Sequence, residues 1–156
     1  MQQPAGEATA YHEAGHAVLA LALGRPVDGV SILAASDRLG SCAFRKPVFR
    51  PTEDWLEREI LISLAGLAAE ARHTGAYAWD GAARDVRHAH ALAVQRAGAR
   101  QAERLQRRLL AKAEHLLAQE VNWQAIEWIA AELLRLGRIS GRAARHLYER
   151  SCKEHG

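Results

Sequence analysis

The stretch TAYHEAGHAVLALALG, Thr9 to Gly24, carries His12, Glu13 and His16 inside an otherwise apolar run. On a helix, residues four apart are rotated by about 40° and stacked one turn above each other. His12 and His16 therefore project from one side and can offer two imidazole nitrogens to a single divalent ion. Glu13 sits beside His12, angled away from ligation but within reach of a water that such an ion activates. Two imidazole ligands and an adjacent carboxylate base are the parts needed for metal-assisted peptide hydrolysis in the His-Glu-x-x-His pattern. Zn2+ suits the set because it takes nitrogen and oxygen ligands and keeps a fourth position open. The bland alternative is a helix that happens to hold two histidines. Against it stands the apolar run Ala14 to Leu23, which directs these polar groups toward a core, where unpaired burial is costly.

A catalytic zinc requires a third protein ligand. The candidates are Glu70, Asp85, His88, His90 and Cys42. Asp85 shares a helix side with Ala82, Ala89 and Leu92, an apolar setting that calls for a partner. Glu70 follows the small residues Ala65, Gly66, Ala68 and Ala69, which would let the zinc helix approach closely. His88 and His90 flank arginines and read as solvent-facing, while Cys42 reads as a small buried strand residue. Spacing alone does not choose between Asp85 and Glu70.

These side chains need elements to hold them. A first helix is predicted from about residue 5 to 23, stopped by Gly24 with Pro26 beyond. Val27 to Leu33 and Gly40 to Arg45 are strand candidates. Thr52 is the expected N-cap of a helix running to His73, and Asp80 that of a helix over residues 82–97. A fourth helix after Gly98 carries Leu105, Leu109, Leu116 and Leu117. Asn122 is the expected cap of a fifth, with Trp123, Ile126, Ile129, Ala130 and Leu133 as its stripe and Gly137 as its stop. Ser140 opens a last helix with Leu147 and Tyr148. The fold class is mostly α (α+β): a helical, zincin-like metallopeptidase domain with a small β-sheet inserted after the first helix.

The 156 residues suit one domain, with residues 1–97 as the zinc-site core and 98–156 as C-terminal helices. With 49% hydrophobic and 25% charged residues, the composition is that of a soluble protein with a real core. The longest apolar run, Ala17 to Leu23, is too short for a membrane span, and no secretory signal is expected. Cys42 and Cys152 fit no disulfide framework, so cytoplasmic localisation is expected. The net charge is +3, and arginine is concentrated in one region, at Arg84, Arg87, Arg96, Arg100, Arg104, Arg107 and Arg108. Lacking interleaved aromatics, this reads as a solvated helix face and not as a nucleic-acid surface.

Three segments, AYHEAGHAV, LAGLAAEA and WDGAARDVRHAHALA, occur in the order and at the separations of the peptidase domain of FtsH-type AAA proteases, which the chain resembles over about residues 10–97. The resemblance implies His12, His16 and Asp85 as zinc ligands, Glu13 as the catalytic base, and Glu70 in a supporting role near the metal. It further implies that the two strands border a cleft where an extended substrate can add to a sheet edge. Leu67, Ala71 and Ala83-Arg84 depart from the family's Arg, second Glu and Ser-Asn. The sequence holds no Gly-x-x-x-x-Gly-Lys-Ser/Thr loop and no membrane anchor, which suggests a peptidase-only relative that uses no ATP. The expected function is a zinc-dependent endopeptidase acting on unfolded or flexible polypeptide. The alternatives are a regulatory peptidase for one specific partner, or a non-catalytic zinc-stabilised interaction module using the C-terminal helices with Trp123 and Trp128. A homo-oligomer is left open.

Overall fold

A helix that is apolar on every side belongs in the middle of a protein, and helix α1 (Glu7–Ala22) obeys: from Glu13 to Ala20 every residue is buried. The computed structural model describes residues 6–33, 40–44 and 54–156. After α1 come strands β1 (Val27–Ser31) and β2 (Ser41–Phe44), then helices α2 (Trp55–Thr74), α3 (Ala83–Ala97), α4 (Ala102–Ala118) and α5 (Glu120–Leu136). A short strand β3 (Arg138–Ser140) leads into α6 (Gly141–His155). α1 packs on α2 and α5, and α2 packs in turn on α3 and α4. One apolar cluster runs from Ala10 and Leu19 through Ile60 and Leu64 to Leu109, Ile126, Ile129 and Leu133. The chain is mostly helical with a small antiparallel sheet after the first helix, as its sequence predicts.

The sheet has the order β2-β1-β3, both pairings antiparallel. Val30 lies opposite Cys42 on one side and Ile139 on the other. The two predicted strands are present, somewhat shorter than expected, and Arg45 falls outside the described residues. The third strand has three residues, too few for any period-2 signal to register.

The helix caps depart from the sequence pattern at several ends. α2 begins at Trp55 under Asp54, whose carboxylate accepts from the Glu57 amide; Thr52 lies outside the described residues. Asp80 does not cap α3 with its side chain: the N-cap is Ala82, and the Ala83 amide meets the Asp80 carbonyl instead. Asn122 lies inside the first turn of α5, buried, and its amide donates to the Leu116 carbonyl at the end of α4 (2.8 Å). It satisfies the preceding helix instead of starting its own. Ser140 does cap α6, accepting from the Ala143 amide.

Candidate metal centre

The site begins with two close approaches between α1 and α2. A Cβ on Gly15 would stand 2.5 Å from the Ala69 Cβ and 2.7 Å from the Ala65 carbonyl oxygen, so the helices touch backbone to backbone. One turn away, a Cβ on Gly66 would stand 2.5 Å from His16 Nε2 and 2.7 Å from His12 Nε2. The small-residue run of α2 is thus a cradle in which both imidazoles rest.

His16 Nδ1 lies 2.7 Å from the Ile62 carbonyl oxygen. A carbonyl only accepts, so Nδ1 carries a proton and donates it, which leaves the Nε2 lone pair of the neutral ring facing inward. That lone pair meets His12 Nε2 at 3.1 Å and Asp85 Oδ2 at 3.0 Å, and His12 Nε2 is 2.9 Å from the same oxygen. With His12 also protonated at Nδ1, the three facing atoms are lone-pair donors at the corners of a nearly equilateral triangle, an arrangement that a cation between them satisfies. A tetrahedral zinc with bonds of 2.0–2.1 Å spaces its ligand atoms about 3.3 Å apart, so the donor types and their spread both fit that ion.

The electrostatics agree. Burial disfavours a charged His16, but the Asp85 carboxylate, reinforced by Glu13 and the Ile62 carbonyl, outweighs it and raises the pKa to about 9. Burial also opposes charge on Asp85, yet the two imidazoles hold its carboxyl far below the usual range. Without a metal, a proton serves as the triangle's cation.

Glu13 is buried, 6% exposed, and its Oε1 stands 4.0 Å from His12 Nε2. The ligand atoms of His12, Glu13 and His16 all lie within 4.8 Å of one another. Asp85 is nearer to both rings than Glu13, which leaves Glu13 beside the triangle and not in it. Glu70 faces the other edge of the His12 ring, its Oε1 3.8 Å from Nδ1. Burial raises its pKa, and His12 partly offsets that. Asp85 reaches inward from the first turn of α3, anchored by buried Ala82, Ala89 and Leu92, with its side chain 31% exposed. His88 lines the cleft but is exposed; His90 is exposed and lies 3.3 Å from Gln106. Cys42, on β2, also lines the cleft, its thiol pushed well up by burial and by the carboxylates of Glu13 and Asp85. Tyr11 stacks on His73 at 3.7 Å, a packing role.

The cleft holding the triangle has a volume of about 690 Å³ and lies between α1, β2 and α3, with part of α2 as its floor. A cavity of similar size, about 710 Å³, opens between residues 21–27 and α6 but has no facing pair of imidazoles. Two features escaped sequence reading: the Ile62 carbonyl, which leaves no side-chain signature, and the particular task of Gly66.

The family described as Peptidase family M41 matches residues 1–98 of this chain, which include all the groups just placed. The chain belongs to peptidase family M41. Among curated proteins, none matches it. M41 membership agrees with the resemblance to FtsH-type peptidases drawn from the three motifs, and it makes the chain a relative of metallopeptidases. The match ends at the α3–α4 junction, so the M41 similarity covers the site while the three later helices lie beyond it.

Proposed function

We propose that this M41 chain is a zinc-dependent endopeptidase that hydrolyses peptide bonds in unfolded or flexible polypeptide, with residues 1–156 acting as one domain. The observation that carries the reading is the triangle of His12 Nε2, His16 Nε2 and Asp85 Oδ2, three lone-pair donors about one zinc-ligand spacing apart. His12, His16 and Asp85 would hold the ion. When bound, zinc polarises the scissile carbonyl and makes water acidic enough to react near neutral pH. Glu13, buried beside His12, takes the proton from the attacking water and then delivers it to the leaving amine. The Ile62 carbonyl fixes the His16 ring by accepting from Nδ1, and Glu70 steadies the His12 ring electrostatically from its far edge. Hydrolysis by these groups consumes no nucleotide. No described helix is long and apolar enough to cross a membrane. Two free cysteines fit a reducing, cytoplasmic setting.

The test is zinc content together with cleavage of casein. The unaltered protein should bind one zinc per chain. Glu13→Gln should retain it and lose cleavage by at least about a hundredfold. Asp85→Ala should abolish zinc binding, and Glu70→Ala should weaken it about 10–100-fold. Cleavage persisting in Glu13→Gln would remove that residue from the mechanism, while a protein that takes up no zinc would be an interaction module.

A further inference from the structure

Residues 82–118, which include α3 and α4, carry eight arginine and lysine side chains against three acidic ones, a net of +5 in a chain whose total is +3. This excess reaches the metal cleft. Arg84 stands three positions from Arg87 and four from His88, so the three share one side of α3, and all of them line that cleft. His88 also lies one turn beyond Asp85, whose oxygen closes the triangle. All three are exposed, and Arg87 and His88 make no hydrogen bond or ion pair with any described residue. Among the described cleft residues Asp80 is the one exposed acid; Glu59 is paired with Arg25, and Glu70 faces His12. The cationic face continues onto α4. Gln106 donates to the Val86 carbonyl at 3.1 Å and lies 3.3 Å from His90, which sets its turn of α4 against the turn of α3 that carries Arg87. Arg104 and Arg107 leave that same part of α4, exposed and without a partner among the described residues. Arg96 and Arg108 differ, being drawn toward Asp54 and Glu57.

We infer that the α3–α4 face is the docking surface for an acidic stretch of the polypeptide substrate, which enters the metal cleft past Arg87. Charge complementarity selects the occupant. Like charges on one face repel each other, and an Asp- or Glu-rich segment laid across them relieves that repulsion. A guanidinium fork matches a carboxylate, but one exposed ion pair contributes little, so recognition comes from several acting on one segment. Segments of high net charge and low hydrophobicity stay unfolded, so an acidic substrate arrives in the extended form that a cleft accepts. The inference rests on the metallopeptidase reading for its substrate class, while docking itself is measured apart from cleavage.

The experiment uses full-length, zinc-incubated Glu13→Gln protein and the fluorescence anisotropy of labelled peptides that are alike except at spaced positions holding Glu, Gln or Lys. At low ionic strength the Glu peptide should bind about tenfold tighter than the Gln peptide or better, with the Lys peptide weakest. That preference should shrink severalfold when salt rises from about 0.01 M to about 0.15 M, as the Debye length falls from about 30 to about 8 Å. Arg87→Gln/Arg104→Gln/Arg107→Gln should bind the Glu and Gln peptides within about twofold of each other while keeping its circular dichroism and zinc content. Arg142→Gln/Arg145→Gln/Arg150→Gln, which removes the same charge from α6, should keep the preference. Equal binding of the Glu and Gln peptides at low salt would overturn the inference. So would a preference that survives the first triple variant, or one that the α6 variant removes equally, since overall charge would then be the cause. A thymidine oligonucleotide that displaces the Glu peptide and binds more tightly would assign the face to nucleic acid and overturn it as well. Equal cleavage of Glu and Gln substrates by the unaltered protein defeats this inference and spares the peptidase reading. Preferential binding of the Glu peptide without cleavage does the reverse.

Discussion

At the scale of single residues, the site is a problem of crowding as much as of ligation. His12, Glu13 and His16 are legible in the sequence because helical geometry turns a spacing of four into a shared face. The third corner is not legible in the same way. Asp85 and Glu70 both sit in plausible apolar contexts, and only tertiary packing puts the Asp85 oxygen 2.9 and 3.0 Å from the two Nε2 atoms while Glu70 meets Nδ1 at 3.8 Å. Gly66 reads as one small residue among several, yet the room it leaves is occupied by ligand atoms. A methyl group there collides with both imidazoles. Gly66→Ala should lose about 1–3 kcal/mol of metal-free stability through overpacking. It should also bind zinc at least about tenfold more weakly, a loss seen by competition with a chromogenic chelator. Unchanged zinc affinity would mean that the rings have room elsewhere.

At the scale of elements, the long periodic helices follow the sequence closely, and the short pieces do not. α4 buries Leu105, Leu109 and Leu117, and α5 buries Ile126, Ile129, Ala130 and Leu133, because stripes of that length outweigh local competition. Polar residues near helix starts are harder: Asp80, Asn122 and Ser140 look alike as caps, and only Ser140 acts as one. The capping group of α2 is Asp54. Ser140 has a second duty, as the residue of β3 paired with Gly29 of β1. Ser140→Ala removes the cap and should cost about 1 kcal/mol. Calorimetry should show a melting temperature lowered by about 2–5 °C, with little change in zinc stoichiometry. A larger loss would indicate that the strand depends on the hydroxyl as well.

At the scale of the whole molecule, the arginine-rich stretch lies at the surface. Arg84, Arg87, Arg96, Arg100, Arg104, Arg107 and Arg108 are all exposed, and Arg96 pairs with Asp54 at 2.5 Å. What composition and periodicity conceal is how strongly the later helices support the site. α5 packs along α1, α4 packs along α2, and β3 completes the sheet beside β1. A fragment ending at residue 98 carries the whole M41 match but lacks α4 and α5, which pack on α2 and α1 and share one apolar cluster with them. It should show no cooperative melting transition by circular dichroism; a sharp transition would mean that residues 1–98 fold alone. The order of the parts along the chain has its own effect during synthesis. Every proposed metal-binding side chain leaves the ribosome well before Arg138–Ser140, the segment that flanks β1 opposite β2. On the proposed reading, a nascent polypeptide would hold every metal-binding side chain while the sheet that carries β2, one wall of the cleft, still lacks its third strand.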